Sequence, residues 1–472
     1  MKILLLHPGI HYFREGNKLI VKKKTVITDH TLPLGILYIA EVLKRNNIEI
    51  EVFDHAVINL SVDKLVKWII KNDFDLVGLS VMGGSFITAI EISKRLKKLN
   101  PNIIIVFGGV QSTLCHDRIM EKYNQEVDYC VRGEGEYTFL ELIEALRKNK
   151  EIKDVRGITY YEHGIVKFTE DRPELKNLDD LPIPDRSILT KKFRYLLGGK
   201  VSPLISSRGC IYNCRFCSCG VLYKRRLRFR SVENVIKELI YLENEGFKEI
   251  NIVDDCFTIN VKRVHKICEQ IKKEKLDLKW HCLCRTNIGD YNMYRHMATA
   301  GCATVSLGIE SANQRILDYY DKKSTVENAK ISVKNANKAR IPNVYGGFII
   351  GAPGETVQEV LNTIKFGLKL NLSFMQFQLL NVLPKTQIFD EFVRKGWLDP
   401  SQTWEQPVIA ADVCPTAVPK KILEKIVEVA YIHFVGDSKR IIKEYLRSMR
   451  AEYRFQIFKN IPEQLKKVLS KY

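Results

Sequence analysis

Short runs of isoleucine, leucine and valine alternate with amphipathic stretches twice over in this chain, and that rhythm leaves few folds open to it. In the first 150 residues the apolar runs cover 2–6, 48–53, 76–81, 103–107 and 127–131, and the amphipathic stretches cover 34–44, 62–70, 86–99, 113–123 and 137–146. Apolar runs without polar alternation suit strands buried on both faces. Strand and helix in turn predict a parallel, doubly wound α/β domain of Rossmann-like type over residues 1–150. Ligands of such sheets sit at the carboxyl ends of the strands. Here those ends carry His7 and Gly9, Ser80 and Gly83, Gly108 and Gly109, and Gly133 with Glu134. Glycine at such a place lets a broad flat ligand approach the backbone, or simply makes a tight turn.

Residues 151–200 read as a connector. Two alternating runs flank His163-Gly164, which predicts a hairpin over 157–168. Pro182 and Pro184 hold the next stretch extended, because each restricts its own φ and the residue before it. Strand signals then resume at 204–206, 250–253, 279–283, 304–309, 344–350 and 374–379. Val232, Val235, Ile236, Leu239 and Ile240 make one apolar stripe on a helix from Ser231 that Gly246 stops. Thr356 and Glu359 form a capping box. Residues 201–395 are thus a second α/β domain of six strand-helix units. Residues 396–472 are helical in pattern at 422–435 and 439–449, with an aromatic stretch at 453–458.

At the head of that second domain, Cys210, Cys214 and Cys217 stand at Cys-x3-Cys-x2-Cys spacing in a loop too short and polar to be a core element. Four cysteines close an iron-sulfur cluster. Three leave one iron open to a substrate, by the logic that separates an open catalytic metal site from a closed structural one. A structural zinc site shows two separated ligand pairs, and a redox dithiol needs only Cys214 and Cys217. Three thiolates that converge predict reactivity at the metal. A fourth ligand from Cys219 would close the cluster, so that residue is expected to stand aside. Cys256, Cys268, Cys282, Cys284 and Cys302 lie on strands and helices, where a free cysteine behaves as a small buried hydrophobe.

With Phe216 before its last cysteine, the loop resembles that of the radical SAM superfamily. The resemblance implies a partial (β/α)6 barrel over 201–395. It implies a [4Fe-4S] cluster on Cys210, Cys214 and Cys217 whose open iron chelates S-adenosylmethionine (SAM), and cleavage of SAM to a 5′-deoxyadenosyl radical. It also carries over to the strand ends. Asp254 or Asp255 would meet the methionyl amine, Arg285 the methionyl carboxylate, Glu310 and Ser311 the ribose or the carboxylate, and Gly351 the adenine. The glycine-lined ends of the first domain, together with Gly35, resemble the cobalamin-binding domain that precedes many radical SAM modules. Its contacts would be His7, Gly9, Gly35, Ser80, Gly83, Gly108, Gly109, Gly133 and Glu134. No Asp-x-His-x-x-Gly stretch is present. Either cobalamin binds with no protein histidine on cobalt, or the domain no longer binds it. With cobalamin, the resemblance implies a methyl relay from SAM to a substrate carbon.

Composition bounds the rest. A formal net charge of +19 suits an acidic partner, and equally fits a lysine-rich surface. Twelve cysteines in 472 residues are too few for a disulfide scaffold. Residues 1–10 do not read as a signal peptide, and no apolar run approaches the ~20 residues of a membrane span. An oxygen-sensitive cluster needs a reducing compartment, so a cytoplasmic location is expected, with a ferredoxin or flavodoxin as low-potential electron donor. The substrate stays open between an anionic lipid, a peptide or protein side chain and a coenzyme precursor. The expected function is methylation of an unactivated carbon. Its rivals are a radical SAM enzyme that closes a ring or forms a carbon-carbon bond, and a non-catalytic cobalamin or iron-sulfur sensor. A methylthiotransferase would need three more cysteines in the first domain, where only Cys115 and Cys130 occur.

Overall fold

The computed structural model describes residues 1–15, 18–21, 32–58, 60–190, 201–401 and 403–436. The expected helix at 439–449, the aromatic stretch at 453–458 and residues 191–200 of the connector lie outside them. The early strands are β1 (Ile3–His7), β2 (Tyr12–Glu15), β3 (Lys18–Val21), β4 (Ile50–Asp54), β5 (Leu76–Ser80), β6 (Ile104–Gly108), β7 (Tyr129–Val131), β8 (Ile158–Glu162) and β9 (Ile165–Phe168). The later ones are β10 (Val201–Leu204), β11 (Ser207–Arg208), β12 (Arg228–Phe229), β13 (Glu249–Ile252), β14 (Lys279–Arg285), β15 (Cys302–Glu310), β16 (Asn343–Ile350) and β17 (Phe374–Leu379). The described residues fall into two compact units. One holds those within 1–211, 218–250 and 399–407, and the other those within 212–217 and 251–398 and from 408 on.

The first unit is built on a sheet of order β4-β1-β5-β6-β7-β8-β9. Its first five strands are parallel neighbours, as the apolar runs predict. Leu4, Leu6, Val77, Leu79, Ile105 and Phe107 are buried in one core, which is why these strands show no polar alternation. The chain passes from β1 to β4 on one side and to β5 on the other, so the order reverses between β1 and β5. Crevices of open α/β sheets lie at such a reversal, and it puts His7 and Ser80 at adjacent strand ends. The hairpin predicted at 157–168 forms, turning at His163 (φ 49°) and Gly164 (φ 82°). It is not free-standing, since β8 pairs antiparallel with β7 and lengthens the sheet. The hairpin β2–β3 has strands of four residues, too short for periodicity to reveal.

Residues 399–407 also pack in this unit. Trp404 meets Phe86 and Tyr123 at ring-centroid distances of 5.3 and 6.3 Å, and Gln111 donates to its carbonyl at 2.5 Å. Glu405 accepts from Lys122 at 2.5 Å and from Tyr123 at 2.6 Å. These contacts join segments far apart in sequence, and no local pattern announces them.

A second sheet runs β10-β13-β14-β15-β16-β17, in consecutive order and open at its edges, as a partial barrel of six strands requires. From β14 to β17 every neighbour is parallel. One face is buried through Cys282, Val305, Leu307, Val344, Phe348 and Met375. The other is partly open, with Leu283 47% and Val253 37% exposed and Gln376 and Gln378 exposed beside them. Thr356 and Glu359 form the capping box that the sequence predicts. The expected helix at 422–435 is Lys420–Gly436, and its Tyr431 hydroxyl accepts the β17 N–H of Phe377 at 3.1 Å. Among the described residues no helix is long and apolar enough to cross a membrane.

Candidate functional site

None of the twelve cysteines is in a disulfide, and nine of them are buried, Cys219 included. Cys210 and Cys214 are partly exposed and Cys217 is exposed, so only the three at Cys-x3-Cys-x2-Cys spacing are open to an incoming metal. The residues between the last two anchor the loop. Arg215 sends Nη2 to the Glu391 carboxylate at 2.6 Å and Nη1 to the Tyr319 carbonyl at 3.1 Å. Its guanidinium lies 4.6 Å over the Tyr319 ring. Phe216 meets Tyr320 edge-on at 5.2 Å, and the Cys217 N–H closes the turn on the Cys214 carbonyl at 3.0 Å. Loop position is thus set by Arg215 and Phe216, with Cys210 and Cys214 partly exposed and Cys217 exposed.

Among the described residues no three Cys, His, Asp or Glu side chains already surround one point as a metal site. Thiols become ligands by losing their protons to the metal, which makes binding and assembly of the site one event. Three reachable thiols on an anchored loop nevertheless form a donor set that fits an iron-sulfur cluster. Ahead of them, Gly209 has φ 92° and any Cβ there would run into the Arg226 carbonyl, so this position tolerates no side chain.

The predicted SAM contacts at the strand ends are engaged within the chain. Arg285 ends β14 and is 6% exposed. Its Nη1 donates to the Cys214 Sγ at 3.4 Å, its Nη2 to the Lys322 carbonyl and its Nε to Asn287 at 3.2 Å. Its face stacks 3.5 Å over Tyr212. Glu310 ends β15 at φ 65°, where a register shift follows Gly308, and its carboxylate takes Lys322 Nζ at 2.5 Å. A side chain at Gly308 would collide with that pair. Ser311 is fully buried and shares a hydrogen bond with Thr363 at 3.2 Å. The N–H of Gly351 goes to Glu355 at 2.6 Å, and that of Ala352 to the same oxygen at 3.1 Å. Burial pushes the Glu355 carboxyl up to about 7. Asp254 is buried and Asp255 exposed. Gln376 and Gln378 were not singled out by sequence reasoning, although their alternation with buried Met375 and Phe377 carries the period of a strand with one open face.

In the first unit the predicted ligand face comes together in part. Ser80 and Gly108 are paired neighbours, and Val81 N–H bonds the Gly108 carbonyl at 2.8 Å. Gly109 has φ 91° and would put a Cβ 2.9 Å from the Val81 oxygen. Among the described residues nothing lies within 4 Å of where a side chain would stand at Gly35 or Gly133, and Gly108 has only Val131, at 3.9 Å. A broad ring can settle on such a surface, and cobalamin fits it. Gly9 and Gly83 are more closely surrounded. A Cβ at Gly9 would lie 3.1 to 3.2 Å from His11, Ala56 and His55, and one at Gly83 would lie 3.4 Å from Gln111 and Pro407.

Near the end of β1, His7 Nδ1, His11 Nε2 and His55 Nδ1 are buried with no hydrogen-bond partner among the described residues. His11 and His55 stack at 4.2 Å, and burial, with His11 beside it, pushes His55 down to about 4. Glu134 is otherwise employed. It takes Arg208 at 2.8 Å and Arg228 at 2.9 Å. Burial alone would raise its carboxyl, but Arg228 and Arg208 hold it at about 2.

Known proteins share this arrangement. The sequence profile of the radical SAM superfamily matches residues 204–367, and that of the B12 binding domain matches residues 24–143. The chain is 35% identical over 427 residues, 89% of its length and 91% of the relative's, to an uncharacterized methyltransferase of Pyrococcus horikoshii. It is 28% identical over 403 residues, 83% of its length and 70% of the relative's, to the anaerobic magnesium-protoporphyrin IX monomethyl ester cyclase of Rubrivivax gelatinosus. Its fold is similar to that of OxsB, a cobalamin-dependent S-adenosylmethionine radical enzyme solved with aqua-cobalamin and S-adenosylmethionine bound. The TM-score is 0.73 at 20% identity, covering 96% of this chain and 71% of that one. On its cysteine loop, its two sheets and these likenesses, the chain belongs to the radical SAM superfamily, in the group that also carries a B12-binding domain.

Proposed function

We propose that this chain methylates an unactivated carbon, with a [4Fe-4S] cluster on Cys210, Cys214 and Cys217, SAM and cobalamin. The observation that carries the reading is the presence in one chain of two features. One is an anchored loop whose three thiols are wholly or partly exposed, and the other is a parallel sheet with Gly108 and Gly133 following its strands and Gly35 at the start of a helix, where the described residues leave room for a flat ring. The likeness to a methyltransferase over most of both chains supports methyl transfer. When bound, these cofactors supply a primary carbon radical and a transferable methyl group.

The residues of the chain bind, orient and exclude water. A carbon radical takes hydrogen from whatever lies close, so the substrate carbon has to be held in a dry, shaped space. The open face of the second sheet offers Leu283 beside Ser306 and Ser306 beside Tyr345, in register. Gly347 stands beside Gln376, and Ile349 beside Gln378. The charged strand ends Arg285 and Glu310 are held by Cys214 and Lys322. An uncharged portion of the substrate, with an amide or hydroxyl for the glutamines, suits this face. Any acidic group drawn by the basic surface belongs elsewhere on that molecule. The reductant is a ferredoxin or flavodoxin and the location cytoplasmic, because the reduced cluster needs low potential and little oxygen.

The likeness to a cyclase keeps ring closure as the second reading. The test is anaerobic incubation of the reconstituted, reduced chain with methyl-labelled SAM and fractionated lipid, protein and small-molecule extracts. Label in a product together with 5′-deoxyadenosine is expected. Deoxyadenosine with unlabelled product would replace methyl transfer by cyclisation, and no deoxyadenosine at all would leave a sensor.

A further inference from the structure

Each of the three guanidinium nitrogens of Arg285 already donates within the chain. Pairing with a carboxylate uses two parallel N–H groups from one edge. On one edge Nε is given to Asn287 and Nη2 to the Lys322 carbonyl, and on the other Nη1 is given to Cys214. The stack on Tyr212 and an exposure of 6% fix the group in place. A clamp on the SAM carboxylate would break these bonds. The contact with Cys214 is also the one that reaches the proposed metal site, across 71 residues of sequence.

We propose that Arg285 is a positioning residue that sets the reduction potential of the iron-sulfur cluster through its N–H···S bond to Cys214. The inference rests on the reading that the cysteine loop holds a [4Fe-4S] cluster. Reduction adds one electron from the external low-potential donor and no proton, so the cluster gains one negative charge. A hydrogen bond to a ligand sulfur and a nearby fixed cation both favour the more negative state. Arginine keeps its charge at every accessible pH, so the effect is independent of pH. Tyr212 and Asn287 act one step further out, by holding the plane of the guanidinium.

The experiment is an EPR-monitored redox titration of the reconstituted full chain, with iron and sulfide counted per chain. Arg285→Met removes both bond and charge, whereas Arg285→Lys keeps the charge and loses the fork. The expected result is a full cluster whose midpoint in the methionine variant is more negative, with reduction disfavoured about tenfold (~59 mV for one electron). The lysine variant should fall between it and the parent. Asn287→Ala, which loosens one hold on the guanidinium and leaves its charge and its bond to Cys214 in place, should shift the midpoint in the same direction and by less than Arg285→Met. A methionine variant with full iron and the parent's midpoint overturns the proposal. Should that variant fail to hold iron, an unshifted lysine variant overturns it equally. A parent chain that assembles no [4Fe-4S] cluster would instead overturn the functional reading beneath it, and the iron count tells the two failures apart.

Discussion

Arg208, two residues before the first cysteine of the loop, is paired with Glu134, one residue before the helix Gly135–Arg147 of the first sheet. The pair is not alone. Arg208 also reaches Glu136 at 2.5 Å, and Arg228 holds both Glu134 oxygens. Arg208 is 8% exposed at its side chain and Glu134 16%. Charges removed from water in this way are tolerated only while each keeps its partner.

Glu134→Gln leaves two buried guanidinium groups short of an anion, and the variant should lose about 3–5 kcal/mol. Urea unfolding at neutral pH measures it. Because the Glu134 carboxyl is held at about 2, below its unfolded value, its contribution is complete above about pH 4.5 and is lost as pH falls towards 2. The gap between variant and parent should therefore narrow on acidification.

Gly209→Ala should be more severe than its chemistry suggests. The φ of 92° costs a residue with a Cβ about 1–3 kcal/mol, and the Arg226 carbonyl occupies the space that Cβ needs. The expected outcome is a lower melting temperature with reduced iron loading, read by calorimetry and by iron content. A variant that melts like the parent would mean that the turn ahead of Cys210 can relax.

Glu355 gives the second unit an unusual response to pH. Its folded carboxyl stands at about 7, above the unfolded value, so the stability it contributes is full below about pH 4.5 and is lost as pH rises through 7. Against Glu355→Gln, whose amide oxygen can still accept from Gly351 and Ala352, the parent should lose about 3 kcal/mol across that window. Paired urea titrations at several pH values check the difference.

His55 works in the opposite sense. Its folded pKa of about 4 lies below the ordinary imidazole value, so its contribution is present above about pH 6.5 and is lost as pH falls towards 4. His55→Phe should keep the stack on His11 and flatten that acid slope by about 3 kcal/mol. It should also carry a constant loss of about 1–3 kcal/mol from the Leu60 carbonyl left without its donor. Circular dichroism melts from pH 7 to 4 separate the two parts.

Much of this protein is legible without its coordinates. The apolar runs of both sheets, the capping box at Thr356, the stop at Gly246 and the hairpin at His163-Gly164 depend on neighbours a few residues away, and each forms where the pattern puts it, apart from the run at 204–206, whose strand is Val201–Leu204. The cysteine spacing is equally local, and it picked out the three cysteines that the fold leaves wholly or partly exposed. Other features depend on partners 71 to 318 residues distant. These are the guanidinium of Arg285 on Cys214, the commitment of Glu134 to Arg208 and Arg228, and the seat of Trp404 against Phe86 and Gln111. A strand end tells where a charged side chain begins. Which opposite charge or sulfur it meets depends on how remote segments pack, because a buried charge accepts whichever partner that packing brings within hydrogen-bond reach. Local periodicity therefore determined the scaffold, and local spacing singled out the three cysteines proposed to hold the cluster. Tertiary packing alone decided which of the expected ligand contacts were already bound within the protein.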